Sequence, residues 1–207
     1  MMMHKAYKGD VRIMQKTIAL VLTIGVLSGV GGVSDYPSSE SSNDFNLVEY
    51  LDTHKIQSLE EFQEVIELNT DYSVPDYSMD DISDYDIDID YDNNIVCVTT
   101  VEISSSKTDI SDSASKDYYN EFGALIFSIH VSGTFRYSYY SCTVLSKSGG
   151  YSKPAYSYWS STPTIGSGNF SASEAYVGIS GTAICGGDTY YYSLTMTCDN
   201  YGNINIY

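Results

Sequence analysis

Residues 123–140 (GALIFSIHVSGTFRYSYY) carry the longest regular alternation of apolar and polar side chains in the chain. Serine, threonine, histidine and arginine fill one parity, and Gly133 occupies a slot on the other. Because successive side chains of a β-strand point to opposite faces, this pattern predicts a long central strand of an antiparallel sheet. Its predicted apolar face consists of Leu125, Phe127, Ile129, Val131, Phe135 and Tyr137.

The same two-residue period recurs on both sides of this strand. Residues 85–91 and 95–103 flank the turn signal at 92–94, which predicts a hairpin whose outer row is made of aspartates. Further towards the C terminus, residues 170–185 and 190–198 alternate around a glycine-containing turn. About six to nine short strands separated by turn signals predict an all-β fold, an antiparallel β-sandwich of the immunoglobulin-like kind.

Helical spacing is confined to residues 44–69, which are acidic. Ser58 and Glu61 fit a capping box, in which each side chain satisfies a backbone N–H near the helix start. Two short helices are predicted, and the second is amphipathic. This segment either packs on the β-domain or belongs to a detachable leader, and both readings stay open. The apolar positions are Leu47, Val48, Leu51, Leu59, Phe62, Val65 and Ile66.

The N-terminal 34 residues predict an export signal. Basic residues precede the uncharged run at 17–34, which ends in small residues, and this order is typical of a signal peptide cleaved after Ser34. An uncleaved membrane anchor is the alternative. A linker at 35–43, the acidic helical segment at 44–69 and an Asp-rich segment at 70–94 then precede a β-sandwich domain at 95–207. The predicted location is secreted, either extracellular or associated with the cell surface.

The charge narrows the choice of partners. The chain of 207 residues has a net charge of -17 at pH 7. Nucleic acid and anionic lipid both require basic side chains, so neither is an expected partner, and membrane contact is expected only through an uncleaved signal. A cationic partner is compatible with the charge but is not required by it.

Four cysteines in an exported chain predict disulfide bonds. A tight turn at 186–189 would place Cys185 and Cys198 far apart along one hairpin, which argues against a bond between them. Two pairings remain open. The preferred one joins Cys142 to Cys198 and Cys97 to Cys185, and the other joins Cys97 to Cys198 and Cys142 to Cys185. Without a Cys-x-x-Cys motif, a metal site at these residues is disfavoured.

Tyrosine is abundant, with 21 residues against a single tryptophan. A flat ring with a hydroxyl suits a sugar- or peptide-binding face, but the preferred reading is that half of these tyrosines fill the core and half tile the sheet exterior. The candidate binding residues are Tyr139, Tyr156, Tyr158, Trp159 and Tyr191. No cofactor is expected.

Two other kinds of site are alternatives. A secreted hydrolase could use His130, but no G-x-S-x-G motif accompanies it, so no catalytic residue is assigned. A Ca²⁺-binding surface protein could use Asp86, Asp88, Asp90 and Asp92. Alternate residues of an extended strand lie about 7 Å apart, too far to chelate one ion, so an acidic edge strand that discourages edge-to-edge pairing is the preferred reading.

A resemblance covers residues 117–207. The order is YYN, a glycine, FSIHVSGTFRY, Cys142, Trp159, a Gly/Ser loop and LTMTCDNYGNI. It resembles an uncharacterised family of small secreted proteins of Gram-positive bacteria with a C-terminal Ser/Thr/Tyr-rich β-domain and paired cysteines. The resemblance implies a β-sandwich with a Cys142–Cys198 pair, whereas Cys97 and Cys185 depart from the pattern. The resulting hypothesis is a non-catalytic binding or cell-surface interaction module, with a cell-wall glycan or a protein as partner.

Overall fold

The computed structural model describes residues 45–75, 77, 82–105 and 109–207. The predicted signal peptide and the linker at 35–43 lie outside these ranges. Two helices are followed by ten strands: α1 (Leu47–Thr53), α2 (Leu59–Asn69), β1 (Ile82–Asp90), β2 (Ile95–Ser105), β3 (Asp109–Asn120), β4 (Leu125–Ser138), β5 (Ser141–Ser152), β6 (Ser160–Ser161), β7 (Thr164–Ser171), β8 (Glu174–Cys185), β9 (Asp188–Asp199) and β10 (Ile204–Ile206). Within the described ranges, no helix has the length and apolar character needed to span a membrane.

The strands form two antiparallel sheets. The first sheet runs β1-β2-β3-β4-β5 in chain order, and the second runs β10-β9-β8, with β6 and β7 both paired to β8. Apolar residues from both sheets meet in one core, which includes Phe127 and Val131 from β4 and Val177 and Met196 from the second sheet. The predicted antiparallel β-sandwich is therefore confirmed.

Strand β4, predicted as the central strand, is an interior strand of the first sheet next to the edge strand β5, and β3 holds the middle position. Phe127, Ile129, Val131 and Phe135 are fully buried in the core between the sheets. Leu125 was predicted on the same face, and this part of the prediction was wrong. The pairing with β3 shifts register around residue 126, so Leu125 packs in the core on the opposite face of the sheet. A β-bulge of this kind reverses the faces of the residues that precede it.

The acidic helical segment packs against the outer face of the first sheet. Phe62 of α2 lies edge-on to Tyr119 of β3, with ring centroids 5.4 Å apart, and both side chains are fully buried. The helix start matches the predicted capping box in part. Ser58 Oγ accepts from the Glu61 N–H at 3.2 Å, but the Glu61 carboxylate accepts from the Gln57 N–H, one residue earlier than expected. One half of the first sheet is thus buried on both faces.

A buried polar cluster lies between the helices and the sheet. The Tyr77 hydroxyl donates to Asp117 Oδ2 at 2.8 Å and lies 2.8 Å from the Tyr119 hydroxyl. Asp117 is only 6% exposed, and desolvation raises the pKa of its carboxyl, while hydrogen bonds from Ser128 and Tyr77 act in the opposite direction. Burial of the ionised form therefore opposes folding at neutral pH.

We expect Asp117→Asn to remove a pH dependence of stability. A carboxyl with a raised pKa in the folded state favours folding below its unfolded pKa, and this contribution is lost as pH rises through the folded pKa. The wild type should therefore lose stability relative to Asp117→Asn from about pH 4 upwards. Urea unfolding of both proteins at several pH values checks this.

Asp109→Asn is a control for which the effect on stability should change with pH in the opposite direction. The Arg136 guanidinium binds Asp109 at 2.9 Å and lowers the pKa of that carboxyl. The wild type should therefore gain, not lose, stability relative to Asp109→Asn as pH rises. An Asp117→Asn protein whose stability runs parallel to that of the wild type at every pH would contradict the expectation.

Candidate binding pocket at the loop end of the sandwich

Three hairpin turns from both sheets meet at one end of the sandwich. They join β1 to β2, β3 to β4, and β8 to β9. Between them lies a pocket of about 420 Å³, which is lined by residues 92–95, 120–122, 126, 159 and 188–190. The pocket thus gathers side chains from well-separated parts of the chain.

Local hydrogen bonds hold two of these turns in shape. Asp90 accepts from the backbone N–H of Asn93 at 3.2 Å and from its side-chain amide at 2.9 Å. Asn120 Oδ1 accepts from the N–H groups of Phe122 and Ala124 at 3.1 and 2.9 Å. Asp and Asn side chains commonly bond the backbone a few residues on, and this stabilises a turn. These bonds therefore fix the backbone shape of two of the three turns that border the pocket.

Trp159 forms one wall of the pocket. The Ser157 hydroxyl anchors the preceding loop by donating to the Ile126 carbonyl of β4. The indole is 6% exposed, and its ring centroid lies 5.8 Å from that of Phe127. Its Nε1 is buried and has no hydrogen-bond partner among the described residues. A buried N–H without an acceptor is rare in folded proteins, so this indole is an unsatisfied donor beneath the wall of the pocket.

Carboxylates dominate the charge of the pocket. Asp92, Glu121 and Asp188 line it, each from a different turn or strand start, and the lining residues include neither lysine nor arginine. In the described part of the chain, no side-chain hydrogen bond or salt bridge engages these three carboxylates. Next to them, the Tyr190 hydroxyl donates to Asp90 Oδ2 at 3.1 Å, and burial followed by nearby negative charge raises the pKa of this phenol. The pocket is therefore suited to a ligand that carries positive charge.

The five predicted binding residues do not form one face. Trp159 lines the pocket, whereas Tyr156 contacts Tyr72 with ring centroids 5.7 Å apart and Tyr158 is exposed on the same loop. Tyr191 is 78% exposed and belongs to β9 of the second sheet. Tyr139 lies at the other end of β4, a strand of 14 residues, and so is about 45 Å along the strand from the pocket.

His130 lies on the exposed face of the first sheet. A side chain added at Gly150 would come within 2.8 Å of its imidazole, so the ring lies over the neighbouring strand β5. No hydrogen bond joins His130 to a carboxylate in the described residues, and it does not line the loop-end pocket. The structure thus provides no geometric support for the hydrolase alternative.

The aspartate run occupies the predicted hairpin. Asp86, Asp88 and Asp90 lie on β1, which pairs only with β2 and forms an edge of the first sheet, and Asp92 lies in the following turn. No cluster of three potential metal-ligating side chains occurs in the described ranges. The position of β1 agrees with the acidic edge strand that we preferred.

All four cysteines are free and buried, and neither predicted bridge is formed. Cys185 and Cys198 lie at opposite ends of one hairpin, opposite Asp188 and Ala175 respectively, as expected. The thiols of Cys142 on β5 and Cys198 on β9 face one another across the core, and Cys198 Sγ donates to the Asp199 carbonyl at 3.4 Å.

Cys97 has a different environment. Its Sγ lies 4.0 Å from the Tyr190 hydroxyl, and burial raises the pKa of its thiol to about 11. Cys185 lies near Tyr151 instead. The two members of the second predicted pair therefore each face a tyrosine.

Sequence reasoning named two of the pocket residues, Trp159 as a binding residue and Asp92 as a possible Ca²⁺ ligand. Asp92 and Asp188 also belong to predicted turns, whereas Glu121 and Phe122 were assigned to no site. The available signal was an acidic residue in each of three turn motifs, but the alternation of strands does not say which turns share an end of the sandwich. Only the strand order reveals that these turns converge.

Comparisons with family models, curated proteins and solved structures found no match. The resemblance described from the motifs at 117–207 therefore stays a prediction, and the functional proposal below depends on the geometry of the chain itself.

Proposed function

We propose that the protein is an exported, non-catalytic binding module that holds its ligand in the loop-end pocket. The observation that carries the proposal is the convergence of three turns around Trp159, with amide, carboxylate and aromatic side chains on one concave surface. Binding sites are commonly concave, with a few polar groups that converge from separate elements. No histidine, cysteine or lysine lines this pocket, so its lining lacks the usual bases and nucleophiles of acyl transfer. We therefore propose that the pocket binds a ligand without reacting with it.

Export is part of the same proposal. The N-terminal sequence has the pattern of a signal peptide, and Cys142 and Cys198 are placed so that oxidation outside the cell could join the two sheets. A module of this kind would act at the cell surface or beyond it, on a glycan or on another protein. The acidic charge makes nucleic acid an improbable ligand on physical grounds.

The single tryptophan makes the proposal directly testable, because all indole fluorescence of the chain comes from the pocket wall. Titration with peptidoglycan fragments, neutral oligosaccharides and short peptides should give a saturable change of emission with at least one class. Phe122→Ala should weaken that binding by roughly 5- to 30-fold, since this pocket residue is 55% exposed and free to contact a ligand.

Phe170→Ala is the matched control. Phe170 is 62% exposed, stacks on Tyr176 of the second sheet and lies outside the pocket, so its removal should leave the affinity unchanged. Equal loss of affinity in both variants, or a flat titration with every ligand class, would contradict the proposed function. Turnover of any bound ligand, followed by chromatography of the mixture, would contradict its non-catalytic character.

A further inference from the structure

The geometry points to the class of ligand: we propose that the loop-end pocket takes the cationic side chain of an arginine or lysine residue from a partner protein. The inference rests on the proposed binding function and names the chemistry of its ligand. Three features carry it: carboxylates without a side-chain partner among the described residues, an exposed aromatic ring, and an acidic strand that leads away from the pocket.

The carboxylates supply the charge. Asp92, Glu121 and Asp188 surround one pocket without a basic side chain among its lining residues. Asp90, by contrast, already accepts hydrogen bonds from Asn93 and Tyr190. The lining of the pocket is therefore negatively charged, and a guanidinium or ammonium that enters it is attracted and can donate to a carboxylate oxygen.

Phe122 adds a second contact suited to a cation. Its ring lines the pocket and remains 55% exposed. A guanidinium or ammonium within about 6 Å of an aromatic centroid is attracted by the ring quadrupole. A carboxylate and an aromatic ring on one rim are a combination that favours arginine in particular, because its planar group can stack and donate hydrogen bonds at the same time.

Trp159 argues for a peptide over a sugar. Only 6% of this side chain is exposed, so its ring offers no open face on which a sugar could stack. A peptide residue brings a cationic side chain to the carboxylates of the pocket, whereas a neutral sugar lacks the charge.

The negatively charged aspartates of β1 extend the proposed binding site beyond the pocket. Tyr190, a pocket residue, donates to Asp90 at the end of β1, and Asp84, Asp86 and Asp88 continue along this edge strand. These alternate residues lie about 7 Å apart on one face of the strand. A partner segment that carries further basic residues would therefore bind more strongly than a single arginine, and salt would weaken the interaction.

The test compares three capped peptides that differ in one side chain: acetyl-Gly-Arg-Gly-amide, its lysine counterpart and its citrulline counterpart. Citrulline keeps the shape of arginine but is neutral. We expect Trp159 emission to saturate with the arginine peptide, and the citrulline peptide to bind at least about 10-fold more weakly, since the charge-assisted contacts are lost. The lysine peptide should fall between them.

Charge variants locate the binding site. Asp92→Asn, Glu121→Gln and Asp188→Asn should each weaken the arginine peptide about 3-fold, and together about 30-fold. None of these carboxylates makes a side-chain hydrogen bond in the described chain, so the variants should fold, and circular dichroism checks this. The control combines Glu64→Gln, Glu67→Gln and Glu174→Gln, which change the net charge equally, and its affinity should stay unchanged.

The outcomes separate the two proposals. Binding of a neutral oligosaccharide without binding of the arginine peptide would overturn this inference and leave the binding function standing. Equal affinity for arginine and citrulline, or equal losses in the pocket and control triple variants, would also overturn it. If no ligand class binds, both proposals fail.

Discussion

Phe127→Ala is expected to lower the free energy of unfolding by about 3–5 kcal/mol, as is typical when a buried aromatic side chain is removed. Phe127 is fully buried, and its ring packs against five others at centroid distances of 4.3 to 6.2 Å. These rings come from both sheets and from the loop of Trp159: Tyr118, Tyr151, Trp159, Tyr190 and Tyr192. The cavity left by alanine would therefore weaken the contact between the sheets and the wall of the pocket together.

Urea unfolding of wild type and variant measures this loss. Phe170→Ala removes the same atoms from an exposed site and should cost less than about 0.5 kcal/mol. A loss below about 1 kcal/mol for Phe127→Ala would show that the two sheets do not pack around this ring.

Oxidation of Cys142 and Cys198 to a disulfide is the other change with a large expected effect, a gain of about 4 kcal/mol in the free energy of unfolding. The bond would close a long loop between β5 and β9 and so restrict the unfolded chain. In the reaction, one molecule of oxidised glutathione takes two electrons from the two thiols and leaves as two molecules of reduced glutathione. Burial raises the pKa of both thiols, so the reaction should be slow at neutral pH and faster as pH rises.

Intact mass and peptide mapping follow the bridge, and urea unfolding measures its effect. Cys97→Ser with Cys185→Ser should leave bridge formation unchanged, whereas Cys142→Ser should abolish it. Recovery of a Cys97–Cys185 or Cys97–Cys198 bond as the main product would contradict the placement of these side chains in the core.

Much of the architecture follows from the two-residue period. Burial of one face of β4 leaves an alternation that can be read directly, and the glycine turn between β8 and β9 marks a hairpin. The bulge at residue 126 could not be predicted, because it depends on the pairing of β4 with β3. The apolar run at 95–98 is consistent with burial of β2 on both faces. Its pattern does not show that the two helices bury one of these faces.

The pocket was less accessible to sequence reasoning than the fold. Each turn had its own signal, but the meeting of Asp92, Glu121 and Asp188 is a consequence of strand order. The many tyrosines of the sequence predicted a single aromatic face. In the structure, these rings are distributed over both sheets and both ends of the sandwich. Trp159 was found because it is unique in the chain, and its importance comes from its buried position beside the three turns.

The most direct test of the account is an NMR titration of the ¹⁵N-labelled protein with acetyl-Gly-Arg-Gly-amide. The single tryptophan gives one indole N–H signal, which reports on Nε1 at the pocket wall. We expect this signal to shift together with the amides of residues 92–94, 120–122 and 188–190, at one common affinity. Shifts confined to a single turn, or centred on Tyr139 and Tyr201 at the opposite end, would contradict a shared binding pocket.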